Sequence, residues 1–81
     1  MEVLSEIKIG PNPTKGTLLI FNTGKIFGIA KIFDLSGKIL LEKSLTKEMS
    51  FELGTFTPGV YLIIIYDKDE NILVSQKVIK E

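Results

Sequence analysis

The stretch PGVYLIIIYD, residues 58–67, decides how this chain is read. Within it, VYLIIIY (60–66) is the longest uninterrupted apolar run in the sequence. That length suits a strand, whereas a membrane-spanning helix needs about 20 such residues. A buried helical turn would give the same run. Pro58 and Gly59 punctuate it at the front, however, and three consecutive isoleucines favour extended chain. The run does not alternate, so both faces are apolar. It predicts a central strand with one face in a core and the other partly covered by loops or a partner.

Composition extends this reading to the whole chain. There are twelve Ile, four Val and six Thr against a single Ala. β-branched side chains lose rotamer freedom in helices and pack well on a pleated surface. Turn-forming residues recur at 11–16, 22–24, 34–37, 46–47, 54–59 and 67–71. The spacing predicts strands at 6–9, 17–21, 27–34, 38–45, 48–53, 60–66 and 72–79. The clearest alternation places Met49, Phe51 and Leu53 on one face, with Glu48, Ser50 and Glu52 on the other. The fold class is all-β: an immunoglobulin-like antiparallel sandwich of about seven strands.

Two hairpins share one pattern. FDLSGKIL (33–40) and YDKDENIL (66–73) each place an aromatic residue before Asp, and Ile-Leu at the same offset. In each, the Asp carboxylate is placed to accept backbone N–H groups two or three residues on, and Gly37 and Asn71 are the types that tolerate positive φ. These are two solutions to one turn problem, since two copies do not make a solenoid.

Bulk composition narrows the function classes. Eighty-one residues form one small, marginally stable domain, and no cysteine is present to staple it. Ten lysines balance ten acidic residues, with no arginine or histidine. The basic footprint needed to displace counterions from nucleic acid is missing. No apolar run reaches membrane-spanning length, so no membrane insertion is expected. The start, MEVLSEIKIG, lacks a basic and then apolar leader profile. Either the protein stays inside the cell or the sequence is a piece of a longer chain. Residues 1–5 read as a linker remnant or artificial start, and 6–81 as the domain.

Catalysis finds no support. Without His or Cys there is no ordinary general base near neutral pH and no thiol nucleophile. Ser36, Ser44, Ser50 and Ser75 have no evident activating partner. The expectation is a non-enzymatic domain without a cofactor. Asp67, Asp69 and Asn71 echo the first half of a calcium loop, in which oxygen ligands at alternate positions converge on a hard cation. Ile72 stands where such loops use Gly, and no acidic residue follows at the twelfth position. A solvated hairpin tip is therefore the preferred reading, with no metal site expected. Proline between Asn12 and Thr14 disqualifies a glycosylation sequon. Gly59-Val60-Tyr61 suits either a tyrosine corner, in which the hydroxyl bonds back to nearby backbone, or a plain core tyrosine after a Pro-Gly turn.

Four segments together resemble one family. PNPTKG (11–16) resembles the opening of the C-terminal sorting domain of the type IX secretion system, where Pro-Asn-Pro is followed by Ser or Thr, any residue, and Gly. AKIFDLSGKIL (30–40) is similar to that family's hairpin, and FTPGVYLIII (56–65) to its Gly-x-Tyr strand. SQKVIKE (75–81) is similar to its lysine-rich last strand. The motif positions here are Pro11, Asn12, Pro13, Gly16, Asp34, Gly37, Gly59 and Tyr61. Gly10 stands where the family usually carries an aromatic residue, Phe56 replaces a common Leu, and the DKDEN loop is longer and more acidic.

The resemblance, to the type A class, implies a secretion signal of Bacteroidetes-type bacteria. Such a domain is fused behind a cargo protein, and the outer-membrane secretion machinery recognises it after the cargo enters the periplasm. A surface cysteine-peptidase sortase then removes it and attaches the cargo to a lipopolysaccharide anchor at the cell surface. The proposed recognition strand carries Lys77, Val78, Ile79, Lys80 and Glu81, combining strand addition at a sheet edge with side-chain and terminal-carboxylate contacts. The competing class is an immunoglobulin-like spacer, or an adhesive or carbohydrate-associated module, of a surface protein or multimodular enzyme. The two-sided apolar strand and open edges also make weak self-association an expectation.

Overall fold

A computed structural model describes residues 7–24 and 26–81. The expected linker at 1–5 lies outside the described residues. Seven strands form in chain order: β1 (Ile7–Gly10), β2 (Thr17–Asn22), β3 (Gly28–Phe33), β4 (Ile39–Ser44), β5 (Glu48–Glu52), β6 (Gly59–Asp67) and β7 (Ile72–Lys80). They build two antiparallel sheets, β1-β2-β5 and β4-β3-β6-β7, which pack as an immunoglobulin-like sandwich.

Alternation explains the core. From the three-stranded sheet, Leu18 and Ile20 of β2 and Phe51 of β5 point inward, joined by Leu53 just past β5. The four-stranded sheet supplies Ala30 and Ile32 of β3, Tyr61, Ile63 and Ile65 of β6, and Val78 of β7. Each fully buried aliphatic side chain contributes about 1.5–3 kcal/mol relative to exposure. With Ala30, Phe51 and Tyr61, the seven larger aliphatic residues form one contiguous core that holds a small domain without a disulfide.

β6 is central, lying between β3 and β7, as its apolar faces predict. Its inner face, Tyr61, Ile63 and Ile65, is buried. Its outer face, Leu62, Ile64 and Tyr66, is half-covered by neighbours on the same sheet. Phe33 lies opposite Leu62 and Lys31 opposite Ile64, and the Lys31 ammonium sits 5.1 Å from the Tyr66 ring centroid.

The strand ends depart from expectation by about one residue, for local reasons. β4 starts at Ile39 because Lys38 stays in the turn, its N–H donating to Asp34 Oδ1 and its C=O accepting from Asp34 N–H. One expectation is corrected. The residue with positive φ in the 67–71 hairpin is Glu70, at 68°, rather than Asn71. Glu70 occupies the place of Gly37, whose φ is 92°, three residues after the hairpin Asp. Asn71 instead returns its side-chain amide to Asp67 Oδ2 at 3.1 Å.

Candidate functional site

The four segments that carry the family resemblance come together at one end of the sandwich. β3 ends there at Phe33, opposite Leu62, and β6 begins there at Gly59, opposite Lys80. The 11–16 segment arrives from the other sheet. β1 finishes at Gly10, and the chain crosses to lie along the outer edge of β7 before β2 begins.

Residues 11–14 act as a strap on that edge. The Asn12 side-chain amide donates to Lys77 C=O at 2.7 Å, and its oxygen accepts Ile79 N–H at 2.9 Å. Two residues on, Thr14 N–H donates to Ile79 C=O at 2.8 Å and Thr14 C=O accepts Glu81 N–H at 2.9 Å. Thr14 thereby forms a parallel bridge with Lys80. A side-chain amide is a chemical copy of a peptide group, so Asn12 stands in for backbone where flanking prolines have no N–H. Thr14 is buried, and its hydroxyl donates to Thr17 C=O and accepts Gly16 N–H, which fixes the turn into β2.

Below the strap, Lys80 points inward and is only 7% exposed. Its ammonium donates to Phe56 C=O at 3.1 Å. The Phe56 ring packs on Tyr61, with centroids 5.3 Å apart. The Tyr61 hydroxyl donates to Thr57 C=O at 2.6 Å, so this tyrosine both fills the core and bonds back to backbone four residues upstream. That is the behaviour of a tyrosine corner.

The terminal strand therefore divides by face. Val78 and Lys80 are buried on the inner side, while Lys77, Ile79 and Glu81 are exposed. Ile79 lies opposite exposed Val60, and Lys77 opposite Leu62, which leaves an apolar outer patch with one ammonium on it. The edge donors and acceptors of residues 77–81 are taken up by Asn12 and Thr14.

The two Asp hairpins sit at opposite ends of the four-stranded sheet. Asp34 Oδ1 accepts the Ser36 hydroxyl, Ser36 N–H and Lys38 N–H. These bonds, the Ser36 hydroxyl first, hold the Asp34 carboxyl below its ordinary range. Asp67 is also lowered, chiefly by Asn71 N–H and then by the Asn71 side-chain amide. Both Asp67 oxygens are thus engaged within their own turn. Asp69 and Asn71 are exposed at the tip, and no group of three or more His, Cys, Asp or Glu residues converges among the described residues.

The chain matches the model of the secretion system C-terminal sorting domain over residues 8–81. It belongs to that family. No curated protein matches it. The match covers all of the sandwich from Lys8 onward, and the domain is a C-terminal sorting signal of the type IX secretion system, a family that implies export toward the cell surface or secretion. Families of such signals are generally non-catalytic.

Sequence reasoning passed over the structural roles of three residues of this sorting domain, Lys80 having been singled out only as part of the recognition strand. The Asn22 side chain bonds both N–H and C=O of Ile26, holding the β2–β3 connection. Gly28 faces the Tyr66 carbonyl so closely that a Cβ would sit 1.9 Å from its oxygen. Lys80 is inside. An Asn closing an apolar strand, and a Gly opening one, are the local signals that were available for the first two. Nothing near Lys80 in the sequence marks it as buried.

Proposed function

We propose that residues 8–81 are the export address of a larger secreted protein and take no part in that protein's own chemistry. The cargo precedes the domain in the chain and crosses the periplasm, and the outer-membrane type IX machinery then recognises the folded sandwich. As a type A signal, the domain is cut away by a cysteine-peptidase sortase that attaches the cargo to a lipopolysaccharide anchor. The observation that carries this reading is the family match across the whole sandwich, from β1 to the last residue of the described chain.

The geometry supports recognition of a folded surface. Lys77 and Ile79 project from the outer face of β7 beside Val60 and Leu62, and their positions are fixed by the strap and by Lys80. These side chains supply one charge and three apolar contacts in a fixed spacing.

The test is a fusion of residues 1–81 behind a periplasmic reporter in a type IX-competent bacterium. The reporter is expected at the cell surface or in the medium, processed near the start of the domain. A reporter that stays in the periplasm overturns the assignment.

A further inference from the structure

Gly10 and Gly16 flank the strap, and its closed form requires neither. Neither has a positive φ. A Cβ on Gly10 would meet nothing within 4 Å, and one on Gly16 would reach only Gly54 backbone, at 3.7 Å, an ordinary contact. Gly28 is the contrast, since crowding against Tyr66 demands its glycine. A glycine that the closed form does not need loosens the chain on either side of it.

The strap holds β7 through four hydrogen bonds, two from the Asn12 side chain and two from Thr14 backbone. Such a small bonded unit can open without unfolding the core. While closed, it offers a poor edge of its own, because Pro11 and Pro13 carry no N–H and Thr14 bonds inward. Once it opens, Lys77 C=O, Ile79 N–H and C=O, and Glu81 N–H face outward at strand spacing. That row accepts any extended segment running parallel to β7, in the direction set by the Thr14–Lys80 bridge.

We propose that residues 11–14 are a removable strap over a strand-acceptor edge, displaced by an extended segment of the export machinery that pairs parallel to β7 along residues 77–81. The identity of that partner rests on the export reading, whereas opening of the strap does not. The closed strap keeps the edge from templating unwanted pairing until the partner's backbone replaces the Asn12 amide and Thr14.

Amide hydrogen exchange on the free domain tests the opening. Ile79 and Glu81 amides are expected to exchange faster than those of β6, by local opening. In a Gly10→Ala/Gly16→Ala variant that exchange slows by about tenfold, since each alanine restricts the open chain. Asn12→Ala speeds it by a similar factor. If the Ile79 and Glu81 amides exchange only with the core, or ignore these substitutions, the strap is not a separate element and the proposal fails. Should the double variant not fold, Gly10→Ala alone gives the same reading at a site with open space.

The reporter fusion tests the partner. The double-alanine domain is expected to export several-fold more slowly than wild type at equal or higher stability. Equal export rates, with Ile79 exchange demonstrably slowed, overturn strap displacement. A wild-type reporter that is never exported sinks the sorting assignment and the partner with it, while the exchange data still decide whether the strap opens.

Discussion

Asn12 accepts the Ile79 N–H at 2.9 Å across 67 residues of sequence, so the entry turn of the domain and its last strand are one structural unit. The same amide donates to Lys77 C=O, and a backbone ladder from Thr14 continues the pairing. PNPT is thereby more than a turn. It switches the chain from the edge of one sheet to the edge of the other and closes the sandwich on that side. Asn12→Ala is expected to destabilise the domain by about 1–2 kcal/mol, two partly solvated hydrogen bonds at the usual net value. Urea unfolding checks this, with a lowered midpoint and an unchanged slope.

Gly28→Ala is expected to be far more damaging. The new Cβ would fall 1.9 Å from the Tyr66 carbonyl oxygen and 3.0 Å from Asp67 Cα, both backbone atoms within the β3–β6 pairing. Neither can move without breaking the central ladder, so the loss should reach about 3 kcal/mol or more. For a domain of this size that is a large share of total stability. Circular dichroism melts should show a strongly lowered midpoint or no folded baseline. A variant that melts like wild type would contradict the close approach.

The two Asp hairpins give opposite expectations at one equivalent position. Glu70 holds a φ of 68° and Gly37 a φ of 92°, each three residues after its Asp. Left-handed backbone costs a residue with a Cβ about 1–2 kcal/mol. Glu70→Gly should therefore stabilise by about 1 kcal/mol at most, since glycine also gains unfolded-state entropy. Gly37→Ala should destabilise by about 1 kcal/mol. Thermal melts of both variants in one buffer make the comparison direct.

Local chemistry explains which features could be read in advance. The 34–37 and 67–71 turns were legible because an Asp carboxylate, its N–H donors and the positive-φ residue all lie within five positions. The assignment of positive φ to Asn71 gave residue type too much weight and the matching offset of Gly37 and Glu70 too little. β6 was legible because seven apolar residues in a row have few other solutions. Lys80 was not, since a lysine beside the end of a chain reads as solvated. Its burial depends on Phe56 C=O, brought alongside by the turn before β6. The strap was legible as a turn but not as an edge cover, because its partners are 65 and 67 residues away.

Acid should weaken both hairpins. The Asp34 and Asp67 carboxyls are held below the ordinary value of 3.8 in the folded domain. A depressed folded pKa means the unfolded chain binds protons first as pH falls. The contribution is fully present above about pH 5 and is lost as pH drops through 3.8 and on through the lower folded values. Melting temperature is expected to decline over that window. An Asp34→Asn/Asp67→Asn variant should start lower at neutral pH and show a shallower acid decline. Parallel curves for the two proteins would show that these carboxylates are not the groups responsible.

Tyr61 links the core to the turn that presents the terminal strand. Its hydroxyl donates to Thr57 C=O at 2.6 Å and lies 3.2 Å from the Thr57 hydroxyl, while its ring packs against Phe56, whose carbonyl holds Lys80. Tyr61→Phe keeps the ring and removes only the hydroxyl, so about 1 kcal/mol should be lost. The consequence should also be local. With Thr57 released, the 54–59 turn loosens, and exchange at the Lys80 and Glu81 amides should rise more than exchange at the far end of β6. Nuclear magnetic resonance of the variant separates these effects. Uniform acceleration along β6 and β7 would mean that the hydroxyl supports only global stability.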